Sequence, residues 1–209
     1  MSPFKLPRIY PITDREVSGL SHCEQVRQLI EGGARLIQLR EKRLAPLDWL
    51  DDARKAVSLA ADAGVKILIN DRVDIAMVLG ADGVHLGQDD LPPEAARRLL
   101  GEKAIIGFST HTFEQAAAAI KLPIDYLAVG PIFDTTTKLD TSPVVGIEAL
   151  RAVRSLAPSM PLVAIGGIKA ADIDGVLSAG ADSAALISEV LGEPGMITSK
   201  MQALLVSQR

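Results

Sequence analysis

Short apolar runs recur along the chain roughly every 25 residues, and each is followed by a stretch with helical hydrophobic spacing. We predict eight strands, at Arg8–Thr13, Arg35–Arg40, Lys66–Asn70, Gly83–Leu86, Ala104–Phe108, Tyr126–Gly130, Leu162–Ile165 and Ser183–Ile187. Amphipathic segments between them predict helices, including His22–Glu31, Leu47–Ala63, Pro93–Leu100, Thr112–Ile120 and Ile147–Ala157. Strands that alternate with helices favour an all-parallel sheet with right-handed crossovers.

The number of repeats favours a closed barrel over an open sheet. An open doubly wound sheet needs fewer strands and usually one glycine-rich phosphate turn, and neither G-x-G-x-x-G nor G-x-x-x-x-G-K-[ST] occurs. No linker or break in composition divides the chain. The sequence therefore predicts the α/β class, with residues 1–209 forming a single (β/α)8 TIM barrel of parallel strands.

Local signals mark the ends of several helices. Plausible N-caps are Asp48, Thr112 and Asp172, and glycines that end helices are expected at Gly32, Gly64, Gly80 and Gly180. We expect His22 to lie on a surface helix and His85 to be a core histidine whose hydrogen bonds are satisfied.

Composition and charge narrow the range of partners. Hydrophobic residues make up 48% of the chain, the formal charge is -4, and no basic tract is present, so nucleic acid is not an expected partner. The single cysteine, Cys23, excludes an intrachain disulfide and agrees with a reducing cytosol. No apolar run reaches the ~20 residues that cross a bilayer, and Met1–Asp14 lacks a signal-peptide layout. We expect a soluble cytoplasmic protein without a membrane partner; the sequence leaves open whether it forms a homo-oligomer.

Polar side chains of the second strand should point into the mouth of the barrel. Strand side chains alternate between faces, so Gln38, Arg40 and Lys42 share one face, whereas Ile37 and Leu39 share the other and can pack under helices. Buried cations are costly without partners. Either a phosphate-rich ligand or an internal network of salt bridges would supply those partners.

Two acids follow neighbouring strands. Asp71 follows the third strand and Asp90 follows the fourth, so both carboxylates could reach one point. Two carboxylates with waters and substrate phosphates are typical of Mg²⁺ sites. The alternatives are that Asp71 pairs with Arg72 or Arg40, and that Asp89 or Asp90 only caps the next helix.

The remaining strand ends carry weaker signals. Ser109 could donate to a substrate oxygen, and His111 could exchange a proton. The loop Thr135–Lys138 offers hydroxyls and a lysine that could close over a phosphate. Gly166–Gly167 and Ile187–Ser188 follow strands seven and eight, where barrels often bind phosphate through backbone N–H groups.

Together these segments resemble the thiamine phosphate synthase family. The similarity runs through Gln38–Lys42, Ile69–Arg72, Gly83–Asp90, Ile106–Ser109, Gly130–Phe133, Thr135–Lys138, Ile165–Ile168 and Ile187–Ser188. It covers nearly the whole chain, and the order and spacing of the motifs are more specific than any one of them. Asp134 departs from the proline that many relatives carry.

The resemblance implies a substrate, a metal and a set of roles. Catalysis would involve Arg40, Lys42, Ser109 and Lys138. The hydroxymethylpyrimidine diphosphate would contact Gln38, Leu39, Arg40, Glu41, Lys42, Asn70, Ser109 and Lys138. The thiazole phosphate would contact Thr135, Thr136, Thr137, Gly167, Ile187 and Ser188. Asp71 and Asp90 would bind Mg²⁺ on the diphosphate. In this family the pyrimidine–diphosphate bond breaks first, and the thiazole nitrogen then attacks the pyrimidine cation.

Two other functions compete with this one. A thiazole tautomerase shares the fold and would use His111 as an acid–base residue, but it tends to lose the Gln88–Asp90 run and the threonine–lysine loop, which are both present here. A non-catalytic phosphate-binding barrel would not need cations, a metal pair and two phosphate sites together.

Overall fold

In the computed structural model, which describes residues 5–135 and 143–207, eight parallel strands close into one barrel in chain order. The strands are β1 (Ile9–Thr13), β2 (Leu36–Leu39), β3 (Lys66–Asn70), β4 (Gly83–Leu86), β5 (Ile105–Thr110), β6 (Tyr126–Val129), β7 (Leu162–Ile165) and β8 (Ser183–Leu186). β1 pairs with both β2 and β8, which closes the sheet. The predicted TIM barrel is confirmed, and each predicted strand is present with its ends moved by at most two residues.

Helices connect the strands on the outside of the barrel. They are α1 (Arg15–Ser18), α2 (His22–Glu31), α3 (Pro46–Asp62), α4 (Val73–Leu79), α5 (Pro93–Leu100), α6 (Phe113–Ala119), α7 (Gly146–Leu156), α8 (Ile173–Ser178), α9 (Ser188–Leu191) and α10 (Ile197–Val206). Two 3₁₀ turns, Ala170–Asp172 and Pro194–Met196, precede α8 and α10. None of the helices in the described ranges is long and apolar enough to cross a membrane.

The core has two layers because strand side chains alternate. Ile37 and Leu39 of β2 are fully buried in the outer layer between sheet and helices. A smaller inner layer fills the barrel itself and contains Tyr10 of β1 and Tyr126 of β6. The inner layer is mixed, since the polar side chain of Gln38 is also buried there.

Most predicted helix ends are confirmed, and two predicted N-caps, Asp48 and Asp172, are wrong. The Thr112 hydroxyl accepts the N–H of Gln115 and caps α6. Asp48 lies in the first turn of α3, not before it, because the helix begins two residues earlier at a proline. Asp172 accepts the N–H of Lys169 and closes the 3₁₀ turn rather than capping α8. The four predicted glycines lie at or just beyond a helix end: Gly32, Gly64, Gly80 and Gly180.

A repeated aspartate ties pairs of strands together at the amino end of the barrel. An aspartate directly before each of β4, β6 and β8 accepts an N–H near the start of the preceding strand: Asp82 from Ile67, Asp125 from Ile106 and Asp182 from Leu162, at 2.9, 2.7 and 2.8 Å. The same carboxylates pair with Lys66, Arg97 and Arg154, respectively. These bonds brace the end of the barrel opposite the functional cavity described next.

Candidate active site

A cavity of about 410 Å³ opens at the carboxyl ends of the strands. Polar and charged side chains from β2, β3, β4, β5 and the turns after them line most of its wall. The lining includes Gln38, Arg40, Lys42, Asn70, Asp71, His85, Gln88, Asp89, Asp90, Ser109 and His111. The barrel therefore brings together side chains that lie up to 175 residues apart in sequence (Ile12 to Ile187).

The cations after β2 point into this cavity, as predicted. Arg40 forms an ion pair with the buried carboxylate of Asp14, and its Nη1 donates to that group. The Nζ of Lys42 lies 2.5 Å from Oδ2 of Asp71. The buried Nε of Arg40 has no hydrogen-bond partner among the described residues. Salt bridges thus engage both cations, while one buried arginine donor has no partner among the described residues.

Two residues predicted to bind substrate do not reach the cavity with their side chains. Leu39 is fully buried in the outer core. The Glu41 carboxylate turns back to accept the N–H groups of Arg43 and Leu44, at 2.8 and 3.1 Å. Their side chains are therefore not among the cavity-lining residues, and their predicted contacts with substrate stay predictions.

His22 lies at the start of an outer helix, as expected, but its own side chain faces inward. Its side chain is completely buried, 2.8 Å from the Thr13 hydroxyl and 3.4 Å from Oε2 of Glu41. The cause is the packing of α2 on α3: Asp52 of α3 accepts the N–H of His22 and seats the first turn against the barrel. His22 therefore supports the loop after β2 from its buried side.

Asp71 and Asp90 face each other across the ends of β3 and β4. Asp71 has a left-handed φ of 62°, and its N–H donates to the carbonyl of His85 at 2.8 Å. Oδ2 of Asp90 accepts the N–H of Gly87 at 2.7 Å. The predicted alternatives do not occur: Asp71 pairs with Lys42 rather than with an arginine, and α5 has no side-chain cap.

The carboxyl groups of Asp71 and Asp90 lie close enough to influence each other's protonation. Burial is the largest cause that raises the pKa of Asp90, and the neighbouring carboxyl of Asp71 raises it further, against the N–H of Gly87 and the charge of Lys42. Within residues 5–135 and 143–207, no group of three or more His, Cys, Asp or Glu could hold a metal. Two adjacent carboxylates are a partial ligand set, which suits a cation that keeps waters and phosphate oxygens.

The cavity floor consists of neutral polar groups. Nε2 of His85 lies 2.8 Å from the hydroxyl of Ser109, and Nδ1 lies 2.8 Å from the hydroxyl of Tyr126. His85 is thus the satisfied histidine that we expected, although it also lines the cavity. Nδ2 of Asn70 is buried and has no hydrogen-bond partner among the described residues. An acceptor on a ligand would satisfy it.

Two further side chains shape the wall beside Ser109. Nε2 of Gln88 donates to the Ser109 carbonyl at 2.6 Å, and Nδ1 of His111 lies 2.6 Å from the Gly130 carbonyl. A carbonyl only accepts, so His111 carries a proton on Nδ1. Sequence reasoning did not identify Asp14, although its position right after β1 is the same signal that identified Asp71.

The loops after β6, β7 and β8 fall only partly within the described ranges. Gly166 and Gly167 have positive φ, and a Cβ on Gly167 would lie 2.4 Å from the Asp134 carbonyl oxygen. The glycines thus let the loop after β6 pack closely. Ile187 lines the cavity, whereas Thr135, Gly167 and Ser188 are not among the described lining residues. Thr136, Thr137 and Lys138 lie outside the described residues.

Comparison with known proteins identifies the family of the chain. Residues 9–190 match the family described as "Thiamine monophosphate synthase". A thiamine-phosphate synthase of Koribacter versatilis is 44% identical, covering 99% of each chain, and one of Pelotomaculum thermopropionicum is 47% identical over 94% of this chain and 89% of its own.

Solved structures give the same result. A thiamine phosphate pyrophosphorylase from Pyrococcus furiosus superposes with a TM-score of 0.82 at 34% identity, covering 96% of both chains. A 3-hexulose-6-phosphate synthase superposes with a TM-score of 0.66 at 17% identity over 94% of this chain and 99% of its own, which shows the fold alone. The predictions of family, barrel fold and transferase class are confirmed. The chain belongs to the thiamine monophosphate synthase family of thiamine biosynthesis.

Proposed function

We propose that the chain condenses 4-amino-2-methyl-5-(diphosphomethyl)pyrimidine with 4-methyl-5-(2-phosphoethyl)thiazole, or its 2-carboxy form, to thiamine phosphate and pyrophosphate. The main support is one arrangement in the cavity: Arg40 and Lys42 stand beside the paired carboxylates of Asp71 and Asp90. Cations next to a carboxylate pair suit a diphosphate that arrives with a divalent metal ion.

The unsatisfied donors support a diphosphate at the same place. Nε of Arg40 and Nδ2 of Asn70 are both buried without a partner in the described part of the chain. A buried donor left unpaired costs about 1–3 kcal/mol, so a phosphate oxygen would be a favourable partner for each. The side chain of Lys42 is half exposed and could move from Asp71 to a phosphate.

The carboxylate pair supports Mg²⁺ as the cofactor. Burial raises the pKa of Asp90 most, and the adjacent carboxyl of Asp71 raises it further, so a cation between the two carboxylates would be favourable. Asp71 and Asp90 would hold the ion through their oxygens, the ligand type that Mg²⁺ prefers. When bound, Mg²⁺ would supply charge neutralisation for the departing pyrophosphate.

The protein groups can assist a dissociative reaction. The bond between the pyrimidine methylene carbon and the diphosphate oxygen breaks, and its electron pair leaves with pyrophosphate. Arg40 and Lys42 would stabilise that negative charge. The lone pair of the thiazole nitrogen then forms the new bond to the methylene carbon. No protein nucleophile is needed, and Lys138, outside the described residues, is proposed to assist the departure.

The thiazole phosphate is proposed to bind on the side of the cavity formed by β7 and β8. Ile165 and Ile187 line that side and provide an apolar surface for a thiazole ring. Thr135 to Thr137, Gly167 and Ser188 would contact the phosphate, as the family resemblance implies.

Pyrophosphate release in a mixture of both substrates and Mg²⁺ tests the proposal. We expect turnover in the native chain and a loss of at least a hundredfold in kcat/KM in Asp71→Asn and in Asp90→Asn, because transition-state charge loses its metal. Asp74→Asn is the matched control, since Asp74 pairs with Arg72 on an exposed surface. Full activity of either variant at limiting Mg²⁺ would refute the metal assignment.

The tautomerase alternative is separated by the same assay. His111 lines the cavity and could serve as its acid–base residue. A tautomerase would isomerise a thiazole without any pyrimidine, and a binding barrel would turn over neither substrate. Pyrophosphate release requires the synthase.

We also propose that the chain works in the cytoplasm on these two small molecules. The single cysteine supports a reducing compartment. Cell fractionation with an antibody against the chain tests this assignment.

A further inference from the structure

A continuous line of hydrogen bonds crosses the inside of the barrel beneath the cavity. It starts at Gln38 of β2, whose Nε2 lies 2.9 Å from the Tyr10 hydroxyl. It continues to the Tyr126 hydroxyl at 3.1 Å, to Nδ1 of His85 at 2.8 Å, and from Nε2 of His85 to the Ser109 hydroxyl at 2.8 Å. Both ends of the line are side chains of the cavity wall.

The strands are arranged so that this line can form. His85 on β4, Gly107 on β5 and Tyr126 on β6 lie side by side in register. The Tyr126 ring lies over β5, because a Cβ on Gly107 would come within 2.0 Å of that ring. The two rings therefore stack across the intervening strand, with centroids 5.5 Å apart and planes inclined by 22°. The two rings can stack because Gly107 has no side chain between them.

The direction of each proton follows from the chemistry of the first donor. An amide nitrogen can only donate, so the Tyr10 oxygen accepts from Gln38. Among the described residues, Tyr10 has one other hydrogen-bond partner, so its proton points to the Tyr126 oxygen. Nδ1 of His85, 2.8 Å from the Tyr126 hydroxyl, is placed to accept the Tyr126 proton. Burial raises the pKa of both tyrosines, so both hydroxyls keep their protons.

His85 transmits this direction to the cavity. Because Nδ1 accepts, the neutral imidazole carries its proton on Nε2 and donates it to the Ser109 oxygen. If both ring nitrogens carried protons, Nδ1–H would donate to the Tyr126 oxygen. The Tyr126 and Tyr10 hydroxyl protons would then point at each other. The Ser109 proton is then left to point toward the ligand.

We propose that Tyr126 is a positioning residue that holds His85 in the Nε2–H tautomer and so makes Ser109 a hydrogen-bond donor to the ligand. At the other end, Nε2 of Gln38 is engaged by Tyr10, and Oε1 remains as an acceptor at the cavity. The floor thus offers one donor and one acceptor of fixed direction. Its complement is a ring that presents an accepting nitrogen to Ser109 and a donating amino group to Gln38.

This pattern makes the floor selective among pyrimidines, a step that rests on the proposed function. An aminopyrimidine presents an accepting ring nitrogen and a donating amino group. Its oxo analogue presents the reverse, a donating ring N–H and an accepting carbonyl. The hydrogen-bond direction fixed by Tyr126 therefore favours the aminopyrimidine diphosphate over the oxo analogue. Without Tyr126, the hydrogen bonds of the cavity floor can run in either direction and suit either pyrimidine.

The tautomer can be measured without any substrate by ¹⁵N NMR of the histidine rings. The chain has three histidines, and single His22→Gln and His111→Gln variants identify the signals of His85. We expect the Nε2–H tautomer in the native chain and in Tyr10→Phe, which keeps the Tyr126 hydroxyl next to His85. In Tyr126→Phe we expect the proton to move to Nδ1 in a large fraction of molecules. An imidazolium or an Nδ1–H ring in the native chain, or an unchanged ring in Tyr126→Phe, would overturn the proposal.

Selectivity provides the second readout, which a purely structural role of Tyr126 would not change. We expect the ratio of kcat/KM for the aminopyrimidine diphosphate over its oxo analogue to fall about tenfold in Tyr126→Phe, the effect of roughly one hydrogen bond. Ser109→Ala should lower the ratio similarly and replaces Tyr126→Phe if that variant fails to fold. An unchanged ratio in the folded variants overturns the selectivity role. Absence of all turnover with the expected NMR result would instead refute the proposed function and leave the tautomer assignment intact.

Discussion

His22 shows how a single buried side chain supports the loop after β2. Its ring bridges Thr13, at the end of β1, and Glu41, whose carboxylate caps the turn after β2. Burial is the largest cause that lowers the pKa of His22, and Glu41 only partly offsets it. For Glu41, burial raises the pKa, but the N–H groups of the turn and His22 outweigh it and lower it. The two pKa shifts thus favour a neutral His22 and an ionised Glu41 near neutral pH.

This arrangement predicts a loss of stability in mild acid. The pKa of His22 is lower in the folded chain than the value of about 6.5 expected when unfolded, so acid protonates the unfolded chain first. Its contribution is complete above about pH 6.5 and is lost as the pH falls below that value, by at most about 1.4 kcal/mol per pH unit. Urea unfolding from pH 7.5 to 5 should show a shallower decline in His22→Gln than in the native chain. Identical slopes would contradict the assignment.

Gly167 shows that a glycine in a site motif can serve packing. Its φ is +67°, and a Cβ would meet both the Asp134 carbonyl and Phe133. We predict that Gly167→Ala lowers the free energy of unfolding by about 1–3 kcal/mol through strain and overpacking.

Gly175 provides the control for this substitution. It lies within α8, and a Cβ added there would meet no atom within 4 Å, so Gly175→Ala should raise stability by about 0.5–1 kcal/mol. Thermal unfolding of the two variants compares the sites directly. Equal effects would show that the packing of the loop against Gly167 is unimportant.

At the scale of elements, strands were predictable because alternation and apolar runs are local properties of the sequence. The strand and helix positions were therefore close to correct, and Gln38, Arg40 and Lys42 were placed on the right face. Interactions between elements were not predictable in this way. The burial of the His22 side chain was not predictable, because it depends on Asp52 of α3, 30 residues away.

The same limit applies to the polar network in the barrel. Tyr10 and Tyr126 lie 116 residues apart, and no local pattern shows that they meet. Asp71 and Asp90 were easier to pair, because both directly follow strands that are neighbours in a parallel barrel. Sequence reasoning thus identified the mouth of the barrel better than its interior.

The aspartates at the amino end provide a test of how elements are held together. Asp125 accepts the N–H of Ile106 and pairs with Arg97, so Asp125→Ala would leave both donors without that partner. We predict a loss of about 2–3 kcal/mol in the free energy of unfolding. Glu148→Ala removes an exposed ion pair on α7 and should change it by less than about 0.5 kcal/mol. Urea denaturation measures the free energy of unfolding of both variants. A loss below about 1 kcal/mol for Asp125→Ala would contradict the bracing role.

At the scale of the whole molecule, the residues that brace the barrel and the residues that line the cavity lie at opposite ends. The aspartate braces lie at the amino ends of the strands, and the polar cavity lies at the carboxyl ends. Within the described residues, two buried donors without a partner and two adjacent carboxylates lie at the cavity, inside an otherwise closed and packed barrel. Function would then depend on a ligand and an ion that satisfy these groups together.

Calorimetric titration of the chain with pyrophosphate, with and without Mg²⁺, tests this central claim most directly. We predict clear binding with Mg²⁺, at least tenfold weaker binding without it, and loss of that difference in Asp90→Asn. The Asp74→Asn control should bind as the native chain does. Binding of equal strength with and without Mg²⁺, or an Asp90→Asn variant that keeps the full effect of Mg²⁺, would contradict the account.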